Sequence, residues 1–167
     1  MRKTYLIRQV LKYKEIAMYF YLIIAAALVI DIATKVAIRM QLELGQTAEI
    51  PGIGFKLIHL VNTGSTGNLF HGWGRALAVL VLALTAAAIY MRQKGKLRGT
   101  FVQVCTALII GGALGNAIDR LLYNQVTDFL YFSEMATMNF ADIWVFAGVL
   151  LLIVQQIVQA FRPAKAA

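Results

Sequence analysis

The stretch from Gly99 to Ile118, GTFVQVCTALIIGGALGNAI, holds no Asp, Glu, Lys or Arg, and the next two residues are Asp119 and Arg120. At 1.5 Å rise per residue it makes about 30 Å of helix, the thickness of a bilayer's hydrocarbon core. Working outward, Ala76 to Met91 and Ile143 to Phe161 are uncharged in the same way. A fourth run, Ile16 to Ile30, gives only about 22 Å of helix. To span, it must carry Asp31 and Lys35 into the membrane near one face. With 60% apolar and 14% charged residues, the chain is predicted to be an all-α membrane protein. The expected spans are 16–36, 76–91, 99–118 and 143–161, within one domain covering 1–167.

The basic residues give this bundle a direction. Arg2, Lys3, Arg8, Lys12 and Lys14 precede the first span, Arg92, Lys94, Lys96 and Arg98 lie between the second and third, and Arg162 and Lys165 follow the fourth. They account for eleven of the sixteen basic residues, and the positive-inside rule makes their side, with both termini, cytoplasmic. Apart from Glu15, every acid falls at or beyond the opposite face. The net charge of +8 is therefore a topology signal. It is not the gathered basic patch that nucleic acid needs. The first apolar run lacks the small-residue cleavage pattern of a secretory signal and is read as a retained helix. Cys105, alone and mid-helix, is read as a buried structural thiol.

The segment from about residue 40 to 74 differs in texture, with seven of the thirteen glycines. Gly54 to Val61 is β-prone and bounded by Pro51-Gly52 and Asn62-Thr63-Gly64. A small sheet on the outer membrane surface is predicted, because open strands cannot face lipid. The second outer segment, Asp119 to Asp142, is read as a connecting loop carrying Asp128.

Ionisable residues at membrane depth are costly and collect around polar cavities or partners. Here Asp31, Lys35, Asp119, Arg120, Asp128 and Asp142 converge on the outer level. Asp31 and Lys35 are spaced i to i+4 and serve equally as an ion pair or as site residues. Asp119 and Arg120 project in different directions and can each pin a neighbour. Pairing off the two bases leaves Asp128 and Asp142 without cations. Two carboxylates close together in a poorly solvated site share a proton, so one can activate water while the other polarises a carbonyl and protonates the leaving amine. His59 and His71 show no zinc-ligand spacing, and no Gly-x-Ser-x-Gly element is present, so no metal or cofactor is expected. Gly111, Gly112 and Gly115 are explained by close helix approach. Asn116 can bond a substrate or a neighbouring helix.

At these residues the sequence resembles the bacterial lipoprotein signal peptidases, or signal peptidase II, a family of four-span aspartyl proteases. The family's Asp-Gln-x-x-Lys element is matched by Asp31 to Lys35, its Asn-x-Gly element by Asn62-Thr63-Gly64, and its Gly-Gly-Ala-x-Gly-Asn-x-x-Asp-Arg element by Gly111 to Arg120. Val126-Thr127-Asp128-Phe129 and Asn139-Phe140-Ala141-Asp142 match two further elements in order. The resemblance implies that Asp128 and Asp142 are the catalytic pair. Asn62, Gly64, Asn116, Arg120 and Asn139 would line the site, with Asp31, Lys35 and Asp119 in support. It implies cleavage of diacylglyceryl-modified prolipoproteins before the lipidated cysteine. The expected setting is the bacterial cytoplasmic (inner) membrane, with the site near the outer face and the protein a monomer.

Three departures stand out. Ile32 replaces the usual Gln, Asn124 stands where Gly is common, and Ser65 to Asn68 replaces small apolar residues and an aromatic. Two other readings remain at this stage: a catalytically silent prolipoprotein-binding relative, and a proton-coupled transporter.

Overall fold

The computed structural model describes residues 2–64, 70–133 and 136–161, with side chains from residue 15 onward. The Ser65 to Asn68 departure, Arg162 and Lys165 lie outside the described residues, as do the side chains of Arg2 to Lys14. Among the described residues, four helices are long and apolar enough to cross a membrane: α1 (Arg2–Gln41), α2 (Gly74–Gln93), α3 (Thr100–Tyr123) and α4 (Phe140–Ala160). The helix α1 is 40 residues long, about 60 Å, twice the thickness of a hydrocarbon core. Its apolar span is Glu15–Gln41, so Asp31, Lys35 and Arg39 all ride on one continuous helix.

The third helix is the hub, touching α1, α2 and α4. Its glycines explain how close the neighbours come. A Cβ on Gly111 would sit 2.8 Å from the Ala27 Cβ and 3.1 Å from the Ile24 carbonyl. One on Gly112 would strike the Ala141 carbonyl, and one on Gly115 the Asp31 carboxylate. On α4, Gly148 leaves similar room for Ile109 and the Cys105 carbonyl. Without lipid-phase hydrophobic pressure between helices, such small-residue approach is what supplies contact. The outward faces carry bare Leu80, Leu84, Phe146 and Ile157, as a lipid-facing surface requires.

A four-stranded antiparallel sheet, in the order β1-β2-β3-β4, caps one end. Strands β1 (Thr47–Ile50) and β2 (Phe55–Asn62) come from the first outer segment, β3 (Val126–Ser133) and β4 (Ala136–Met138) from the second. The sheet is thus wider than the 40–74 element read from sequence, and Asp128 lies on a strand and not on a connecting loop. The reason is visible in β3, where Val126 through Leu130 are all buried. A strand covered on both faces shows no alternation for the eye to find. Ile38, Phe129 and Leu130, with Leu42, Phe55, Leu57, Phe140 and Ile143, seat the sheet on the ends of α1 and α4.

Candidate active site

Position 139 organises the site. Asn139, fully buried, is the N-cap of α4; its Oδ1 accepts from the Asp142 amide at 3.0 Å, while its own amide donates to Asp142 Oδ2 at 3.2 Å. This reciprocal capping box is common at helix starts. Here its acidic member is also a candidate catalytic residue. The Asn139 side chain then turns to the sheet: Nδ2 donates to Asp128 Oδ1 at 2.7 Å and lies 3.2 Å from Asn116 Oδ1. One asparagine therefore holds both carboxylates, Asp142 through the helix cap and Asp128 through its amide.

Each carboxylate has a second amide of its own. Asn62 Nδ2 donates to Asp128 Oδ2 at 3.2 Å, and Asn62 Oδ1 accepts from the Gly64 amide at 3.0 Å, shaping the exit from β2. Asn116 Nδ2 donates to Asp142 Oδ1 at 2.8 Å. Burial, reinforced by the nearby Asp142 charge, pushes Asp128 from 3.8 up to about 7, against the pull of Asn62, Asn139 and Lys35. Neutral amides hold the carboxylates in place without neutralising them, so one proton can be retained between them.

Behind the pair lies an ionic layer. Lys35, fully buried, contacts Asp31 at 2.7 Å and Asp119 at 3.4 Å, and donates to Asn116 Oδ1 at 2.8 Å. The other oxygen of Asp31 accepts from the Ala141 amide at 2.8 Å, tying α1 to the first turn of α4. The i to i+4 pair is therefore both structural and connected to the site, through Lys35, Asn116 and Asp142 in sequence. Asp119 and Arg120 do pin different neighbours. Asp119 takes Lys35, Arg39 and the Thr127 amide, whereas Arg120 Nη2 donates to the Gly64 carbonyl at 3.2 Å.

The structure thus brings together all ten residues singled out from sequence, and adds two. Arg39 Nη1 contacts Asp119 at 3.1 Å and donates to Thr127 Oγ1 at 2.8 Å. Thr127 precedes Asp128 on β3, and its amide and hydroxyl are both held, so the strand is clamped one residue from the carboxylate. A signal existed: Asp31, Lys35 and Arg39 recur every four residues, which stacks them along one helix face. Cys105 is fully buried as expected, and the His59 ring bonds the Leu42 carbonyl at 2.8 Å. The Asn124 departure has a physical basis: it ends α3 at φ 58°, a left-handed conformation that Asn tolerates next after Gly. Its Oδ1 also accepts from the Arg75 amide at 3.1 Å, which a glycine could not do.

Comparison with known proteins gives the family and the fold. A profile of the family described as signal peptidase (SPase) II matches residues 23–158. The chain is 36% identical over 143 residues to the lipoprotein signal peptidase of Maridesulfovibrio salexigens, covering 80% of this chain and 91% of that one. It is 31% identical over 135 residues to the lipoprotein signal peptidase of Pelotomaculum thermopropionicum, with 81% and 89% covered. Two solved structures described as bacterial membrane enzymes superpose on it. One has a TM-score of 0.81 at 24% identity, covering 89% of this chain and 93% of that chain. The other has a TM-score of 0.72 at 27% identity, covering 83% and 92%.

Proposed function

The chain belongs to the signal peptidase II family, and on that premise we propose that Asp128 and Asp142 are the pair with which it removes signal peptides from prolipoproteins. The observation that carries this assignment is Asn139, which bonds both carboxylates at once while Asp128 keeps its proton to about pH 7. In this reading Asp142 is the ionised member. It takes a proton from water as the water oxygen attacks the scissile carbonyl carbon. Asp128 donates its proton first as a hydrogen bond to the carbonyl oxygen; when the tetrahedral intermediate collapses, a dyad proton moves to the departing amine. Peptide hydrolysis then needs neither a nucleophilic side chain nor an outside acid.

Asn62, Gly64, Asn116, Arg120 and Asn139 are assigned to the substrate-facing shell, with Asp31, Lys35 and Asp119 supporting them. The substrate is a diacylglyceryl-modified prolipoprotein, cut before the lipidated cysteine. A diacylated chain is confined to the bilayer, so its scissile bond must be met at headgroup depth. This favours a site at the outer face of the bacterial cytoplasmic membrane, reachable by water. The placement of the basic residues favours both termini being cytoplasmic, and the protein is assigned as a monomer. The sheet supports the reading, since β2 and β3 contribute Asn62 and Asp128 from outside the apolar spans.

The test is cleavage of a diacylated prolipoprotein by the purified protein in detergent or bilayer, beside Asp128→Asn and Asp142→Asn. The parent should yield the shortened product, and each variant should lose activity by about a thousandfold or more, the scale of removing a reacting group. Cleavage surviving both substitutions would overturn the assignment, and an inactive parent would point to a chain that only binds precursors.

A further inference from the structure

On the side of β3 away from Asp128 there is a cavity of about 350 Å³, lined by Arg39, Leu44, His59, Val61, Tyr123, Gln125 and Thr127. Strand alternation separates it from the site. Val61 and Thr127 are register partners and face the cavity, while the next pair, Leu60 and Asp128, faces the other way. The two spaces share a wall one strand thick.

The lining has a definite chemistry. Among the described residues it contains no carboxylate. Arg39 is partly exposed, and only its Nη1 is engaged, on Asp119 and Thr127. Its Nη2 and Nε make no hydrogen bond among the described residues, which leaves one edge of a planar fork suited to a tetrahedral oxyanion. The Tyr123 ring lies under the guanidinium at 5.0 Å, and the Gln125 amide and Tyr123 hydroxyl add donors. Tyr123 and Leu44 are half-exposed or more at the rim.

Depth identifies what brings such an anion. From Ile16, where the uncharged run of α1 begins, to Arg39 is about 35 Å of helix, just beyond a core of about 30 Å. An arginine there, beside an exposed tyrosine and leucine, stands at the level of lipid headgroups. We propose that this cavity binds the phosphate of a membrane phospholipid, with the Arg39 fork on the phosphate and Leu44, Val61 and Tyr123 against the glycerol and upper acyl chain. The lipid would brace Arg39 in the position from which it holds Thr127, so an annular lipid becomes part of the wall behind the catalytic strand.

The experiment uses the full chain, delipidated in mild detergent and titrated with phosphatidylglycerol, phosphatidylcholine, diacylglycerol and inorganic phosphate. Bound lipid is counted by native mass spectrometry. One phospholipid per chain should be retained, diacylglycerol should not compete, and inorganic phosphate at equal concentration should not displace it. Arg39→Gln and Leu44→Trp, the second filling the cavity mouth without touching the ionic layer, should each weaken retention at least tenfold. Asn62→Leu, on the other face, should not. Retention unchanged by Arg39→Gln and Leu44→Trp would overturn the site. Saturation by inorganic phosphate as readily as by lipid, or equal retention of diacylglycerol, would overturn its assignment to phospholipid.

Discussion

Replacing Asn62 with leucine tests which aspartate carries the proton. Asn62 Nδ2 donates to Asp128 Oδ2 at 3.2 Å, and this bond lowers an Asp128 pKa that burial and Asp142 have raised to about 7. A hydrogen bond to a charged group is worth about 1.5 to 3 kcal/mol. At this length and with a neutral donor the lower end applies, which is about one pKa unit at 1.36 kcal/mol per unit. Leucine also dries the site, which acts in the same direction. Asp128 is the acid in the proposed mechanism, so activity is present below its pKa and lost above it. The alkaline midpoint should move from about pH 7 in the parent to about pH 8 in Asn62→Leu. At pH 8, relative to each protein's own plateau, the parent keeps roughly a tenth of its rate and the variant roughly half. The assay is kcat/KM against pH, from initial cleavage rates with a diacylated peptide well below KM, because this quantity reports the ionisation of the free enzyme. Because Asn62 also shapes the chain at Gly64, the plateau is expected to fall; the midpoint is the readout. A midpoint that stays put or moves acid refutes the role of this bond. A rate that rises through pH 7 refutes the assignment of Asp128 as the proton holder.

Three further outcomes are expected. Thr127→Val removes the 2.8 Å bond from Arg39 and should cost about 1 kcal/mol of stability and lower kcat several-fold at unchanged KM, with Thr127→Ser close to the parent; steady-state kinetics decide it. Gly115→Ala drives a methyl into the Asp31 carboxylate and should destabilise by about 3 kcal/mol or more, combining overpacking with loss of a buried pair, read as thermal unfolding in detergent. Asp128 binds its proton more tightly in the fold, at about 7, than at its ordinary 3.8. Its contribution to stability is therefore full below about pH 4 and lost as pH rises through about 7. The unfolding midpoint should therefore fall between about pH 4 and pH 7 and level off above, and Asp128→Asn should remove that part of the fall.

What was legible in the sequence follows from the kind of signal each part leaves. A membrane span is written locally, as a charge-free run between basic turns, so the four helices were visible. The capping box was not read from the sequence, although Asn139 and Asp142 sit three apart at the head of an apolar run. The pairing of β2 with β3 was not legible, because it joins Leu57–Asn62 to Val126–Leu130 across two helices, and β3 is buried throughout the stretch that carries Asp128. Arg39 was passed over for a different reason, although its four-residue spacing from Lys35 was in view. It closes a helix that looked finished near residue 36, and its partners, Asp119 and Thr127, become neighbours only when α1, α3 and β3 meet.

Arg39 also changes the charge count at the site. On sequence the cluster had Asp31, Asp119, Asp128 and Asp142 against Lys35 and Arg120. With Arg39 drawn in by its 3.1 Å contact to Asp119, four acids meet three bases, and a single proton makes the assembly neutral. A neutral cluster is the inexpensive state where water is scarce. Lys35 and Arg39 are committed to Asp31 and Asp119, so the uncompensated carboxylate must lie in the remaining pair. Asp128, buried and facing the charge of Asp142, is where that proton is held. On the proposed assignment, the ionic layer thus keeps two cations away from Asp128 and Asp142, and by doing so leaves that pair one proton to hold.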